Sequence, residues 1–249
     1  MLAFFRRIRK SLLTENKLTK YFFYALGEII LVVIGILIAL KINNWNNNQI
    51  SQQKELSYLQ EIRDNLEQDT KRIDSVLAFN RDKVPIVKGM MQIFSDSLTN
   101  DERVELFNTY STPFTWYEIF IPQKTAFNNM VAAETIDLVQ DGELRKTLIS
   151  YYEYDYAGSV QFRVRQMNRR IVDKAFPMFF TRENTKSLLG LSTELPTNNE
   201  LTIHKEQWLL SELYGLIYIL GLQDEGLIGF KQNIKELILL IDNTLENKT

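Results

Sequence analysis

Residues 21–40 read YFFYALGEIILVVIGILIAL, an apolar run whose one charged side chain is Glu28. A helix of this length spans about 30 Å, which matches the hydrocarbon core of a bilayer. A cleaved signal peptide is the competing interpretation, but Lys41-Ile42-Asn43 after the run offers no small-x-small cleavage pattern. We therefore predict an uncleaved transmembrane helix over residues 21–41.

The charges on either side of this run predict its orientation. Six basic residues precede it against one acid, Glu15, whereas Lys41 and Lys54 are the basic residues in the stretch 41–55. Positive charge stays in the cytoplasm, so we expect the N-terminus inside and residues 42–249 outside the cytoplasm. Trp45, in the asparagine-rich stretch 43–48, is predicted to anchor the outer interface.

Residues 1–20 form a predicted cytoplasmic, basic amphipathic segment. Its apolar residues recur at helical spacing: Phe4, Phe5, Ile8 and Leu12. Its basic residues occupy other faces: Arg6, Arg7, Arg9 and Lys10. This pattern predicts binding to anionic lipids of the inner leaflet. Nucleic acid is disfavoured as a partner because the patch is short and the net charge of the chain is −2.

Glu28 is an unusual residue for a membrane helix, since an acid at the bilayer centre costs about 2.5–3.5 kcal/mol. At helical spacing it shares one sector with Val32, Gly35 and Ala39. Gly35 and Ala39 form a small-xxx-small pair, which allows close helix approach. We predict a membrane-helix association face of Glu28, Gly35 and Ala39. The alternatives are a glutamate that extends to the headgroups or, with thinner support, one in a proton or ion pathway.

The composition of the whole chain favours helices. It holds 10 Gly and 5 Pro in 249 residues, few for a strand-rich fold, and 45% apolar residues, enough for a core. The predicted fold class is all-α, with one N-terminal transmembrane helix and an extracytoplasmic helical bundle in a periplasmic domain of residues 42–249.

The predicted helices follow from 3–4 spacing and from breakers. The stripe Leu59, Ile62, Leu66, Ile73 and Val76, broken by Asp69, predicts a bundle helix continuing the anchor, with a coiled coil as the alternative. Further predictions are a helix starting near Pro85, an irregular segment 112–122, helices over 123–133 and 141–176, a loop over 181–196, and a capping box at 197–200. The capped helix is predicted to end near residue 222, with a final helix to about 245. Residues 208–222 are apolar but too short for a second span.

Catalytic and metal-binding patterns are missing from the sequence. The chain has no cysteine and one histidine, His204, and it lacks hydrolase-elbow, phosphate-loop and dinucleotide motifs. We expect no catalytic activity, no catalytic or metal-ligating residues, and no cofactor.

A second functional hypothesis rests on a basic cluster. Its members are Arg163, Arg165, Arg169 and Arg170. They could bind an anionic ligand beside the tyrosine-rich stretch 151–156, as in a periplasmic sensor domain. The alternatives are salt bridges for the arginines and core packing for the tyrosines.

The run Gly27–Leu40, followed by Ile42-Asn43-Asn44-Trp45-Asn46, resembles the anchor of an uncharacterised family of single-pass membrane proteins of Bacteroidota. The stretches 4–9 and 15–17 are similar to the opening of that family. The resemblance implies a bacterial inner-membrane anchor, a helical periplasmic domain and no assigned activity. The leading hypothesis is therefore a non-enzymatic envelope scaffold or accessory protein, forming homo-oligomers or binding an envelope partner.

Overall fold

The computed structural model describes residues 18–248, and within them every regular element is helical, as the sequence predicts. Seven α-helices occur in this part of the chain. They are α1 (Leu18–Met91), α2 (Asn100–Thr115), α3 (Thr125–Ala132), α4 (Gly142–Glu153), α5 (Val160–Ala175), α6 (Arg182–Leu189) and α7 (Gln207–Lys248). Short 3-10 turns connect several of them. The chain divides into two units, Met1–Leu56 and Ser57–Thr249.

The described part of the first unit is helical throughout, from Leu18 to Leu56. Residues 46–49, for which the sequence leaves open a helix or a short hinge, are therefore helical. The predicted inner-leaflet residues Arg6, Arg7, Arg9 and Lys10 lie outside the described residues, so that prediction stays open.

The second unit is a helical bundle with two apolar clusters. One cluster joins the α1 stripe to α3, α4 and α7, with Leu66, Met130 and Leu144 fully buried. The other joins the end of α1 to α2, α5 and α7 around Val87, Phe114 and Leu213. The Leu59–Val76 stripe thus packs within its own bundle, as predicted, rather than in a coiled coil.

Pro85 lies inside α1, so the predicted helix start there is wrong. Proline removes one backbone hydrogen bond to the carbonyl four residues earlier. Here that carbonyl belongs to Arg81, an exposed residue, while Val87 and Met90 bury apolar side chains beyond it. Tertiary packing therefore carries the helix through the proline to Met91.

The predicted single helix over 141–176 is also wrong, because α4 ends at Glu153 and α5 begins at Val160. Between them the Asp155 carboxylate accepts a hydrogen bond from the Gly158 amide at 2.8 Å. A Cβ at Gly158 would lie 1.9 Å from that carboxylate, so any larger residue there would displace the Asp155 side chain.

Two further predictions need correction. The predicted loop over 181–196 contains α6, which Thr181 caps at its start and Gly190, with φ of 69°, ends. The Thr197–Glu200 capping box is present but opens a three-residue turn, Asn198–Glu200. The long helix after it, α7, then runs without interruption through Gly226 and Gly229, because its buried stripe continues from Leu209 to Ile241.

Candidate functional site

The most exposed apolar surface in the described chain lies on α1 between residues 22 and 50. Its large apolar side chains are 42–68% exposed, and no residue in its most apolar 18-residue stretch is buried. The mean hydropathy of that stretch is 2.6. Among the described residues, this is the one helix long and apolar enough to cross a membrane by length and composition.

The predicted association residues lie on this surface. Glu28 is half-exposed, and both Gly35 and Ala39 are exposed on the same side at helical spacing. A Cβ built on Gly35 would meet no atom within 4 Å, and the same holds for Gly27. Trp45, the predicted interface anchor, is 64% exposed. The helix therefore presents open glycine positions to whatever surrounds it.

The four arginines of the anionic-ligand hypothesis are all exposed on α5. Arg170 pairs with Glu212 at 2.6 Å and Arg169 with Asp173 at 3.5 Å. The Arg165 guanidinium lies 5.5 Å from the centroid of the Phe162 ring. Surface ion pairs of this kind are worth about 0–1 kcal/mol, so the cluster resembles a solvated helix face.

Sequence reasoning missed a group of buried polar side chains in the bundle. They hold the extended segment 116–124, which links α2 to α3. Lys83 donates to the carbonyls of Phe114 and Trp116, and Gln161 exchanges two hydrogen bonds with the backbone of Phe120. Because segment 116–124 is not helical, its backbone groups and those at the end of α2 lack helical partners, and each of these bonds satisfies one such group.

Asp69 and Gln223 complete this arrangement. The Gln223 amide donates to the Glu118 carbonyl at 3.1 Å, and the Asp69 carboxylate accepts from the Gln123 amide at 2.8 Å. The same carboxylate accepts from the Tyr151 hydroxyl at 3.0 Å. Burial raises the pKa of Asp69 and lowers the pKa of Lys83 to about 7. These contacts hold segment 116–124 in place, which is a structural role.

The tyrosine-rich stretch is divided between core and surface. Tyr151, Tyr152 and Tyr156 are buried, whereas Tyr154 is 45% exposed. The Tyr156 hydroxyl donates to the Tyr151 carbonyl at 2.9 Å, and burial raises the pKa of both phenols. Both therefore stay neutral over the physiological pH range.

Two cavities of the bundle each have four aromatic residues in their lining. One, of about 260 Å³, lies between α2 and α6 with Phe107, Phe176 and Phe179 in its wall. The other, of about 360 Å³, lies between α4 and α7 and contains Tyr154, Tyr156 and Phe230. None of the four arginines of α5 lines either cavity. Within the described residues no group of three or more His, Asp or Glu side chains could hold a metal ion.

Comparison with known proteins gives one match. The model of a family of unknown function, DUF6090, matches residues 28–176. No curated protein and no solved structure matches the chain. The matched region includes the predicted association residues Glu28, Gly35 and Ala39, segment 116–124, and all of α4 and α5.

Proposed function

The chain belongs to DUF6090, a family of unknown function. We propose that it is a membrane-anchored helical scaffold or accessory protein of the cell envelope that self-associates through its anchor. The observation that supports this is the exposed apolar stretch of α1 with Gly35 open on one side. Lipid tails provide no hydrophobic drive between helices, so close approach at small residues is what holds two anchors together.

The proposed membrane geometry places residues 21–41 in the inner membrane, the N-terminus in the cytoplasm and residues 42–249 in the periplasm. Its support is the charge asymmetry around the apolar run. Lipids are then one partner, through the basic residues before the run, and a second copy or another envelope protein is the other. The proposal involves no catalytic step and no nucleic acid.

Self-association is tested by the oligomeric state of the full chain in nanodiscs or maltoside detergent. We expect an oligomer that Gly35→Leu weakens by about tenfold in dissociation constant, or about 1.4 kcal/mol, because the leucine blocks helix approach. Gly27→Leu is the matched control, since Gly27 is equally open but lies off the predicted face. A wild-type monomer, or equal effects of both substitutions, would contradict the proposal.

Glu28→Leu, which removes the polar group, separates the two interpretations of the glutamate. If Glu28 contributes to assembly, the substitution changes the dissociation constant, because interhelical hydrogen bonds in membranes contribute about 0.6–2 kcal/mol. If its carboxylate only extends to the headgroups, the oligomer is unchanged and the association face reduces to Gly35 and Ala39.

Orientation is tested with single cysteines, since the natural chain has none. A maleimide that cannot cross membranes should label Asn48→Cys in intact spheroplasts. It should label Ser11→Cys only after lysis. The reverse pattern would place the bundle in the cytoplasm and overturn the proposed topology.

Recognition of an anionic ligand by the α5 arginines stays a prediction with less geometric support. Arg169 and Arg170 already pair with acids, and the two cavities described above have other linings.

A further inference from the structure

The cavity between α4 and α7 lacks the arginines that would bind an anionic ligand. Its volume is about 360 Å³. Nine residues line it, among them Tyr151, Tyr154, Tyr156, Phe230 and Glu236. Four of these nine are aromatic, and Glu236 is the one that carries a charge. The electrostatic character of the cavity is therefore negative rather than positive.

Three aromatic rings form one wall of the cavity. The ring centroids of Tyr154 and Tyr156 lie 4.8 Å and those of Tyr156 and Phe230 4.8 Å apart, at interplanar angles of 71° and 60°. Tyr154 and Phe230 are 5.0 Å apart at 63°. Tyr154 is 45% exposed and Phe230 is half-buried, so parts of these two rings are open to the cavity. The π-face of an aromatic ring is the negative part of its quadrupole, and it attracts cations.

The end of α4 makes this arrangement possible. In a continuing helix Tyr154 and Tyr156 would point about 200° apart. Instead Tyr154 has extended backbone angles, φ −61° and ψ 138°, and the turn closed by Asp155 and Gly158 follows it. Both rings can then contact Phe230 of α7. The turn thus builds the aromatic wall.

The polar groups of the lining also suit a positive guest. The Tyr156 phenol is committed to the Tyr151 carbonyl, and the Thr147 hydroxyl donates to the Glu143 carbonyl at 2.8 Å. The Glu236 carboxylate receives one bond, from the Gln232 side chain at 3.2 Å, and it is exposed. A carboxylate beside π-faces is the combination that binds organic ammonium groups.

We propose that the cavity between α4 and α7 binds a small organic ammonium ion, with the rings of Tyr154, Tyr156 and Phe230 against its alkyl groups and Glu236 balancing its charge. This site is independent of the anchor, so it does not depend on self-association. It also reverses the sign of the ligand that the sequence alone suggests for the tyrosine-rich stretch.

Choline is the probe, and its control is the neutral isostere in which a quaternary carbon replaces the nitrogen. Binding to the full chain in maltoside detergent is measured by calorimetry and by chemical shifts of the choline methyl protons. We expect choline to bind at least fivefold more tightly than the isostere, since shape and apolar area are the same and only the charge differs. Equal affinities, or no binding of choline, would overturn the proposal.

Substitutions locate the site. Tyr154→Phe keeps the π-face and should keep choline affinity, whereas Tyr154→Leu should weaken it about fivefold. Glu236→Gln should weaken choline binding and leave isostere binding unchanged. Glu225→Gln, an exposed acid of the same helix outside the cavity, is the matched control. An equal effect of Glu225→Gln and Glu236→Gln would mean a general charge effect and would overturn the site. Because Glu236 is exposed, its variant tests the site even where Tyr154→Leu fails to fold.

Discussion

Two stretches of α1 contain the same types of apolar residue, but these residues are exposed in one stretch and buried in the other. Between residues 22 and 50, Leu31 and Leu37 are 68% and 58% exposed. Beyond residue 57, Leu59 and Leu66 are completely buried. From residue 29 to residue 40 the first stretch is apolar on every side of the helix, and the second stretch carries its apolar residues in one stripe. The comparison shows that pattern rather than composition decides which solvent a helix suits.

The free energies involved explain why the exposed stretch needs an apolar environment. Moving one large aliphatic side chain out of water contributes about 1.5–3 kcal/mol. The bundle obtains this from its own interior, through the stripe on α1. Among the described residues the most apolar part of the first unit has no such burial, and a lipid environment would supply the same gain.

The largest effect should come from charging the exposed stretch. Ile34→Arg combined with Leu37→Arg should cost about 6 kcal/mol of insertion free energy, since each arginine near the bilayer centre costs about 2.5–3.5 kcal/mol. We expect the variant to leave the membrane fraction on carbonate extraction, while wild type stays. Asn47→Arg with Asn48→Arg is the control and should remain membrane-bound. If carbonate also extracts the wild type from membranes, the exposed stretch of α1 is not embedded in lipid and the comparison fails.

A smaller effect should separate a buried leucine from an exposed one of the same helix. Leu66→Ala should lower the free energy of unfolding by about 3 kcal/mol, because it leaves a cavity in the core. Leu31→Ala should change it by less than about 0.5 kcal/mol, since this side chain is 68% exposed. Chemical denaturation of the full chain in detergent measures both. Similar losses from the two substitutions would contradict the contrast.

Helix type and the buried stripes were accessible from the sequence because they depend on local spacing. Leu59, Ile62 and Leu66 recur at helical intervals and lie in the core. The helix ends were less accessible, as Pro85 and the turn before α5 show. Whether a helix passes a proline depends on Val87 and Met90 packing against other helices, which local propensity cannot report.

The polar interior of the bundle could not be predicted for a related reason. Asp69 interrupts an apolar stripe and seemed a defect in it. Its hydrogen-bond partners, Gln123 and Tyr151, lie 54 and 82 residues away in sequence. Likewise, the approach of Tyr154 and Tyr156 to Phe230 depends on where α4 ends. The sequence shows Asp69, Tyr154 and Tyr156 as individual residues, but the tertiary fold decides which residues they contact.

Asp69 gives the smallest of the expected effects and one that depends on pH. Asp69→Ala should lower the free energy of unfolding by about 2 kcal/mol, because the Gln123 amide and the Tyr151 hydroxyl lose their acceptor. Asp69→Asn should lose less, since the amide oxygen still accepts from Gln123 and the amide nitrogen donates to the tyrosine hydroxyl instead. Asp82→Asn, at an exposed position of the same helix, is the control and should be neutral.

The sign of the pH dependence follows from the raised pKa of Asp69. Burial makes the folded chain hold its proton above pH 3.8, where the unfolded chain has released it. The Asp69 contribution to stability is therefore fully present below pH 3.8 and is lost as the pH rises through the folded pKa. Denaturation across this range should show that loss in wild type and in Asp82→Asn, but not in Asp69→Asn. A loss that Asp69→Asn retains would have to come from another carboxyl group, such as that of Asp224, whose pKa is also raised by burial.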